Sequence, residues 1–149
     1  MAHPGARPAG LLTAREKERI EQAIARAEGT TSGEIRVVLS RRIHGDPLEA
    51  ARRTFARLKM HETRERNGVL ILLGVKSRRF AIFGDEGIHR IVGQEGWDHI
   101  RDGMAERFRK GDFAGGLEYA VEEVAQVLAH HFPWKEGDVN ELSDEVLEE

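Results

Sequence analysis

Between Thr13 and Gly29 the apolar positions Ile20, Ile24 and Ala27 return on one helical face. That spacing predicts a helix. Thr13-Ala-Arg-Glu16 forms a capping box at its start, and Gly29 sits where a helix stops. The period then shortens to two. In GEIRVVLS, Ile35, Val37 and Leu39 alternate with Glu34, Arg36 and Val38, the pattern of a strand. Asp46-Pro47-Leu48-Glu49 joins an N-cap, a proline at the first helical position and a carboxylate in the first turn. The helix it opens would bury Leu48, Ala51, Phe55 and Leu58. Val69 to Leu73 is apolar without alternation, as in a strand covered on both faces. VKSR makes a turn, and Arg79 to Phe83 returns as a third strand. Trp97, Ile100, Met104 and Phe108 stripe a third helix that ends near Gly111. Asp112 caps a fourth, striped by Leu117, Val121, Val124 and Leu128 and closed by His131-Phe-Pro-Trp134.

The order helix, strand, helix, strand, strand, helix, helix defines an α/β fold. The first two strands flank a helix and are expected to run parallel through a right-handed crossover. The second and third form a hairpin. The expected architecture is a three-layer α/β/α sandwich with a small mixed β-sheet. This topology has a consequence for chemistry. The starts of strands one and two, and the end of strand three, fall at one edge of the sheet. Residues 32–34, 66–68 and 84–87 should therefore meet there, each bringing polar side chains beside a glycine. Glu34, Asn67, Asp85 and Glu86 on such a rim are hard oxygen donors of the kind calcium or magnesium takes. Strand ends also need polar turn residues for their own sake.

Charge adds one asymmetry. The net charge is −3, but after Trp134 the tail carries seven acids and one lysine. Residues 135–149 are expected to be a solvated, mobile acidic end, or a docking strip for a basic partner. The remaining body is too weakly basic for a nucleic-acid partner. Residues 1–10 read as a loose leader of Pro, Gly and Ala without the apolar core of a secretory signal, and no apolar run approaches a membrane span. Those features point to a cytoplasmic location. There are no cysteines, which excludes disulfides and thiolate metal sites. The expected domain is residues 11–134.

Further side chains stand near the rim. His61, Arg64 and Arg66 precede the second strand, where the arginines could take a phosphate or a carboxylate partner; the bland alternative is the wet end of a helix. His89 follows GDEGI as a supporting group. GDEG lacks the spacing of an EF-hand loop and by itself reads as a turn. His130-His131 suits a helix C-terminus. No P-loop, G-x-S-x-G, H-E-x-x-H or dinucleotide fingerprint is present.

Taken together in their order, SGEIRVVLS, RNGVLILL, FAIFGDEGIH and FRKGDFAGGLEYAVEEVAQVL resemble the TPM domain family, also called the TPM phosphatase family. That family includes thylakoid lumen and photosystem II repair proteins, and the present chain is most similar to its short, stand-alone bacterial members. The resemblance implies an α/β/α sandwich and divalent-cation binding. By matching position, Asn67, Gly84, Asp85 and Gly87 fall on family motif positions, and Asp112 on another, which adds Asp112 to the metal ligands the resemblance implies. It implies two functional classes. One is a non-enzymatic cation-binding or partner-docking module, accessory to a larger complex and peripherally associated with a membrane. The other is a metal-assisted acid phosphatase, with Asp85 as candidate nucleophile.

Overall fold

The computed structural model describes residues 12–138 and 144–149; the expected leader, residues 1–10, lies outside them. The chain order is α1 (Ala14–Glu28), β1 (Glu34–Ser40), α2 (Pro47–Arg57), β2 (Gly68–Gly74), β3 (Arg79–Gly84), α3 (Glu86–Arg109), α4 (Phe113–His131) and β4 (Leu147–Glu148). The capping box of α1 closes as its sequence requires: the Thr13 amide donates to Glu16 Oε1 at 2.9 Å and the Glu16 amide to Thr13 Oγ1 at 3.1 Å.

Four strands form one sheet in the order β3-β2-β1-β4. β1 and β2 are parallel, with Glu34 beside Gly68, and β2 and β3 are antiparallel, with Val69 beside Gly84. Alternate residues of each strand face opposite layers. Ile35, Val37 and Leu39 of β1, with Val69, Ile71 and Leu73 of β2, join the core beneath α1, α3 and α4. Val38, Leu70, Leu72 and Ala81 pack on the other face against Ala51, Phe55 and Met60 of α2 and its exit. All seven residues of β2 are buried, the double coverage that its uninterrupted apolar run demands. The fold is thus the α/β/α sandwich with a small mixed sheet.

Three features depart from the sequence reading. The acidic tail does not end as a free solvated segment. Its last residues return to the sheet as β4, parallel to β1, with Leu147 beside Val38 and Glu148 beside Leu39. Val146 is 2 % exposed and belongs to the main core. A single valine–leucine pair among acids carries no strand periodicity, so the pairing was invisible in the pattern. Second, GDEG is not a plain turn: Asp85 is the N-cap of α3, which starts at once and bends at Gly93 (φ 68°, ψ 170°), a conformation that favours glycine. Third, Leu48 is 40 % exposed rather than buried, because α2 overhangs the outer edge of β3 at that end.

Candidate functional site

The backbone brings the three polar segments together. The Glu34 amide donates to the Asn67 carbonyl at 3.4 Å, the Asp85 amide to Gly68 at 2.9 Å, and the Gly87 amide to Arg66 at 2.9 Å. Gly87 is needed there: a Cβ on it would stand 2.3 Å from the Glu65 carbonyl oxygen and 2.6 Å from that of Arg66. Arg66 itself takes a left-handed backbone (φ 54°), uncommon for a side chain of its size.

The side chains, however, divide into two groups. On the β3 side, Arg66 holds Asp85 in a two-pronged ion pair, Nε to Oδ2 at 2.7 Å and Nη2 to Oδ1 at 2.9 Å. Asp85 Oδ1 also accepts the Glu86 amide at 2.8 Å, capping α3. Asp85 is 5 % exposed, and its hydrogen bonds hold the Arg66 guanidinium still more firmly protonated than usual. Glu86 is exposed and pairs loosely with Arg66 at 3.5 Å and Arg90 at 3.9 Å. On the β1 side, Glu34 is 1 % exposed and hydrogen-bonds the Glu28 carboxyl, which also meets Asp144 of the tail. Burial first, then these two carboxyl neighbours, push the Glu28 pKa up to about 11, although the Ile35 amide, donating to its Oε2 at 3.1 Å, favours the charged form. Sequence reasoning missed Glu28 and Asp144; only the fold places them against Glu34.

Between the groups, Asn67 is buried and donates from Nδ2 to Ser32 Oγ at 3.3 Å, while Ser32 donates to Glu65 Oε2 at 3.1 Å and Lys135 Nζ stands 3.3 Å from Glu65 Oε1. His61 and Arg64 are exposed on the loop that enters β2. Asp112 is elsewhere. It caps α4, accepting the Gly115 amide at 2.9 Å, next to Phe113, whose ring lies 5.1 Å from the guanidinium of Arg78 in the β2–β3 turn. That is the opposite end of β3, about 20 Å from the rim for a six-residue strand.

The proposed donors therefore do not meet at one point. Asp85 already faces a guanidinium, Glu34 is turned toward other carboxyls, and Asp112 is a strand length away. Among the described residues no group of three or more Asp, Glu or His is placed to hold a metal ion.

What adjoins the rim is a slot of about 580 Å³ running along the outer side of β3. β3 forms its floor, and α2 (Leu48, Arg52) and α3 (His89, Trp97, Arg101) form its walls. The Arg52 guanidinium lies 5.2 Å over the Phe83 ring. Trp97 Nε1 donates to His89 Nδ1 at 3.0 Å, which leaves Nε2 as the donor of that imidazole. Nothing in the linear spacing signalled this slot; its lining comes from three separate elements.

The chain is an α/β/α sandwich domain with a walled slot beside the outer strand of its sheet. Comparison with known proteins places it. A profile of the TPM domain matches residues 6–127, and the chain belongs to the TPM domain family. It is similar to the solution structure of the BA42 protein from the psychrophilic bacterium Bizionia argentinensis, with 40% sequence identity and a TM-score of 0.85 over 93% of this chain and 95% of that one. The N-terminal domain of a P. gingivalis protein matches at 26% identity and a TM-score of 0.69, covering 84% of this chain and 81% of that one. The N-terminal domain of cg2496 from Corynebacterium glutamicum, at 18% identity and a TM-score of 0.64 over 80% and 75% of the two chains, shares the fold. No curated protein sequence matches significantly. Among the described residues no helix is long and apolar enough to cross a membrane.

Proposed function

We propose that this TPM domain is a non-enzymatic docking module, accessory to a larger complex, that receives part of a protein partner in the slot beside β3. The observation that carries this reading is the slot itself: polar and apolar walls flank an edge strand that has no outer neighbour among the described residues. Protein surfaces that combine exposed backbone groups with apolar contact area are interaction sites. Leu48, exposed on the slot wall, is the natural position from which to test it. With a photoreactive residue at position 48, irradiation in an extract of the source organism is expected to give one discrete adduct. The same group at Gln126, exposed on α4, serves as the control. Equal labelling from both positions, or none, contradicts the reading.

The phosphatase reading needs Asp85 as a nucleophile. In the structure both Asp85 oxygens accept hydrogen bonds, from Arg66 and from the Glu86 amide. An attacking carboxylate would have to leave that ion pair. The expected result on a generic phosphomonoester, with calcium or magnesium added across acid and neutral pH, is background hydrolysis in wild type and Asp85→Asn alike. Turnover abolished by Asp85→Asn would reinstate the enzyme.

A further inference from the structure

We infer that the slot takes its partner as an added β-strand, an extended segment of alternating acidic and apolar residues that pairs with the free edge of β3. This rests on the docking reading and specifies its ligand.

The backbone argument comes first. In an antiparallel pair, hydrogen-bonded residues alternate with residues whose amides and carbonyls point away. The Asp85 amide reaches Gly68, which puts the odd-numbered residues of β3 toward β2. Phe80, Ile82 and Gly84 therefore direct their N–H and C=O groups outward, and among the described residues no strand lies beyond them. All three line the slot. A row of outward donors and acceptors is met most fully by another main chain. The helices on either side shape the choice of occupant. α2 and α3 stand as walls along the edge, so the space admits one strand but not a second sheet carrying helices of its own.

Side chains set the composition. A strand seated there turns alternate residues to the two walls. One set meets Leu48 and the Phe83 ring, an apolar surface; the other meets Trp97 and His89. At the end where β3 begins, Lys76, Arg78 and Arg79 are exposed, and none has an acidic partner among the described residues. Arg52, paired with Glu49 at 3.4 Å, lies along the same strand, whereas Lys76, Arg78 and Arg79 do not pair with a described acid. Unpaired cations on an open edge complement a segment rich in carboxylates. The molecule supplies its own precedent at the opposite edge. There Leu147 and Glu148 pair with β1, flanked by Asp144, Glu145 and Glu149, and the acids engage Arg57 and Lys17. The β3 edge carries cations of the same kind and, among the described residues, no such strand.

The test uses the intact chain, labelled with nitrogen-15, and three synthetic peptides of about six residues, the length of β3. The first alternates glutamate with valine and leucine. The second replaces every glutamate with lysine. The third has the first sequence with every amide N-methylated. The first peptide is expected to give saturable amide shifts centred on Phe80, Ile82 and Gly84. The lysine peptide should bind about tenfold more weakly, and the methylated one not measurably. Arg79→Glu, at an exposed position that leaves the core intact, should weaken the first peptide and strengthen the second. Equal binding of the methylated peptide, no discrimination by charge, shifts centred on β1, or no binding at millimolar peptide would each overturn strand addition. If a position-48 probe still captures a partner after such a failure, docking survives without strand pairing. If capture fails as well, the docking reading falls with it.

Discussion

The two edges of this sheet present the same hazard and meet it differently. At one edge β1 is covered by β4: the Glu149 amide donates to Leu39 at 2.8 Å, the Arg41 amide returns to Glu149 at 3.1 Å, and Arg57 grips the Glu149 carboxylate at 2.5 and 2.6 Å. At the other edge β3 lies in a slot with no strand beside it among the described residues. Edge strands left bare invite pairing, and natural chains blunt them with charge, a bulge or a cover. Here one edge has a cover built from the acidic tail and the other has positive charge and two helical walls. The contrast teaches that residues 146–149 are part of the fold, and that the β3 edge relies on charge and flanking helices where the β1 edge relies on a strand.

The strongest way to break the comparison is to strip the covered edge. Val146→Asp places a carboxylate where the side chain is 2 % exposed. It should cost ~3 kcal/mol or detach the tail outright. Chemical denaturation measures the loss, and light scattering should show self-association through the exposed β1 edge. A variant that stays monomeric with unchanged stability would show that β4 protects nothing.

A second substitution addresses the rim at the end of β3. Asp85→Ala removes both the α3 cap and the Arg66 pair, and should destabilise by about 1–2 kcal/mol. Asp85→Asn keeps a capping oxygen and should lose about half as much. Equal losses would mean that the ion pair, rather than the cap, fixes this corner.

Glu28 sharpens the picture on the covered side through pH. Its carboxyl binds a proton more tightly in the folded chain than in the unfolded one, because it is buried beside Glu34 and Asp144. The folded state therefore holds the extra proton, and this group's contribution to stability is largest below its ordinary value of 4.5 and declines as pH rises toward about 11. Glu28→Gln should remove that decline, gaining ~1 kcal/mol at pH 8, or about 4 °C in Tm, relative to wild type. Parallel pH profiles for the two chains would contradict the shared-proton arrangement. Least is expected of Arg57→Ala, which removes an ion pair that is half exposed. Thermal melts should move by about 0.5 kcal/mol or less, a change that would leave the tail docked.

Most of the architecture was legible because it is written in periods. The alternation in β1, the continuous apolar run of β2 and the stripes Ile20–Ile24–Ala27 and Leu117–Val121–Val124–Leu128 each specify an element and its buried face. The convergence of the Glu34, Asn67 and Asp85 segments followed from strand directions alone. Side-chain pairing did not follow. Nothing in the sequence tells whether Asp85 faces a metal ion or a guanidinium, and Arg66 meets it from a left-handed backbone that no pattern announces. Motif position alone groups Asp112 with the metal ligands, whereas the length of α3 carries it to the far end of the sheet. β4 escaped notice because two paired residues have no period. The slot escaped because its walls lie on α2 and α3, more than 30 residues apart, and because Leu48 looked like a core residue on a helical wheel.

Native-state hydrogen exchange on the free chain tests the two-edge contrast most directly. The account predicts that the Arg41 and Glu149 amides, which bond across the β1–β4 junction, are protected, whereas those of Phe80, Ile82 and Gly84 exchange far faster than the inward-facing Ala81 and Phe83. If the outward amides of β3 are as protected as their inward neighbours, that edge is already closed and the docking account is wrong.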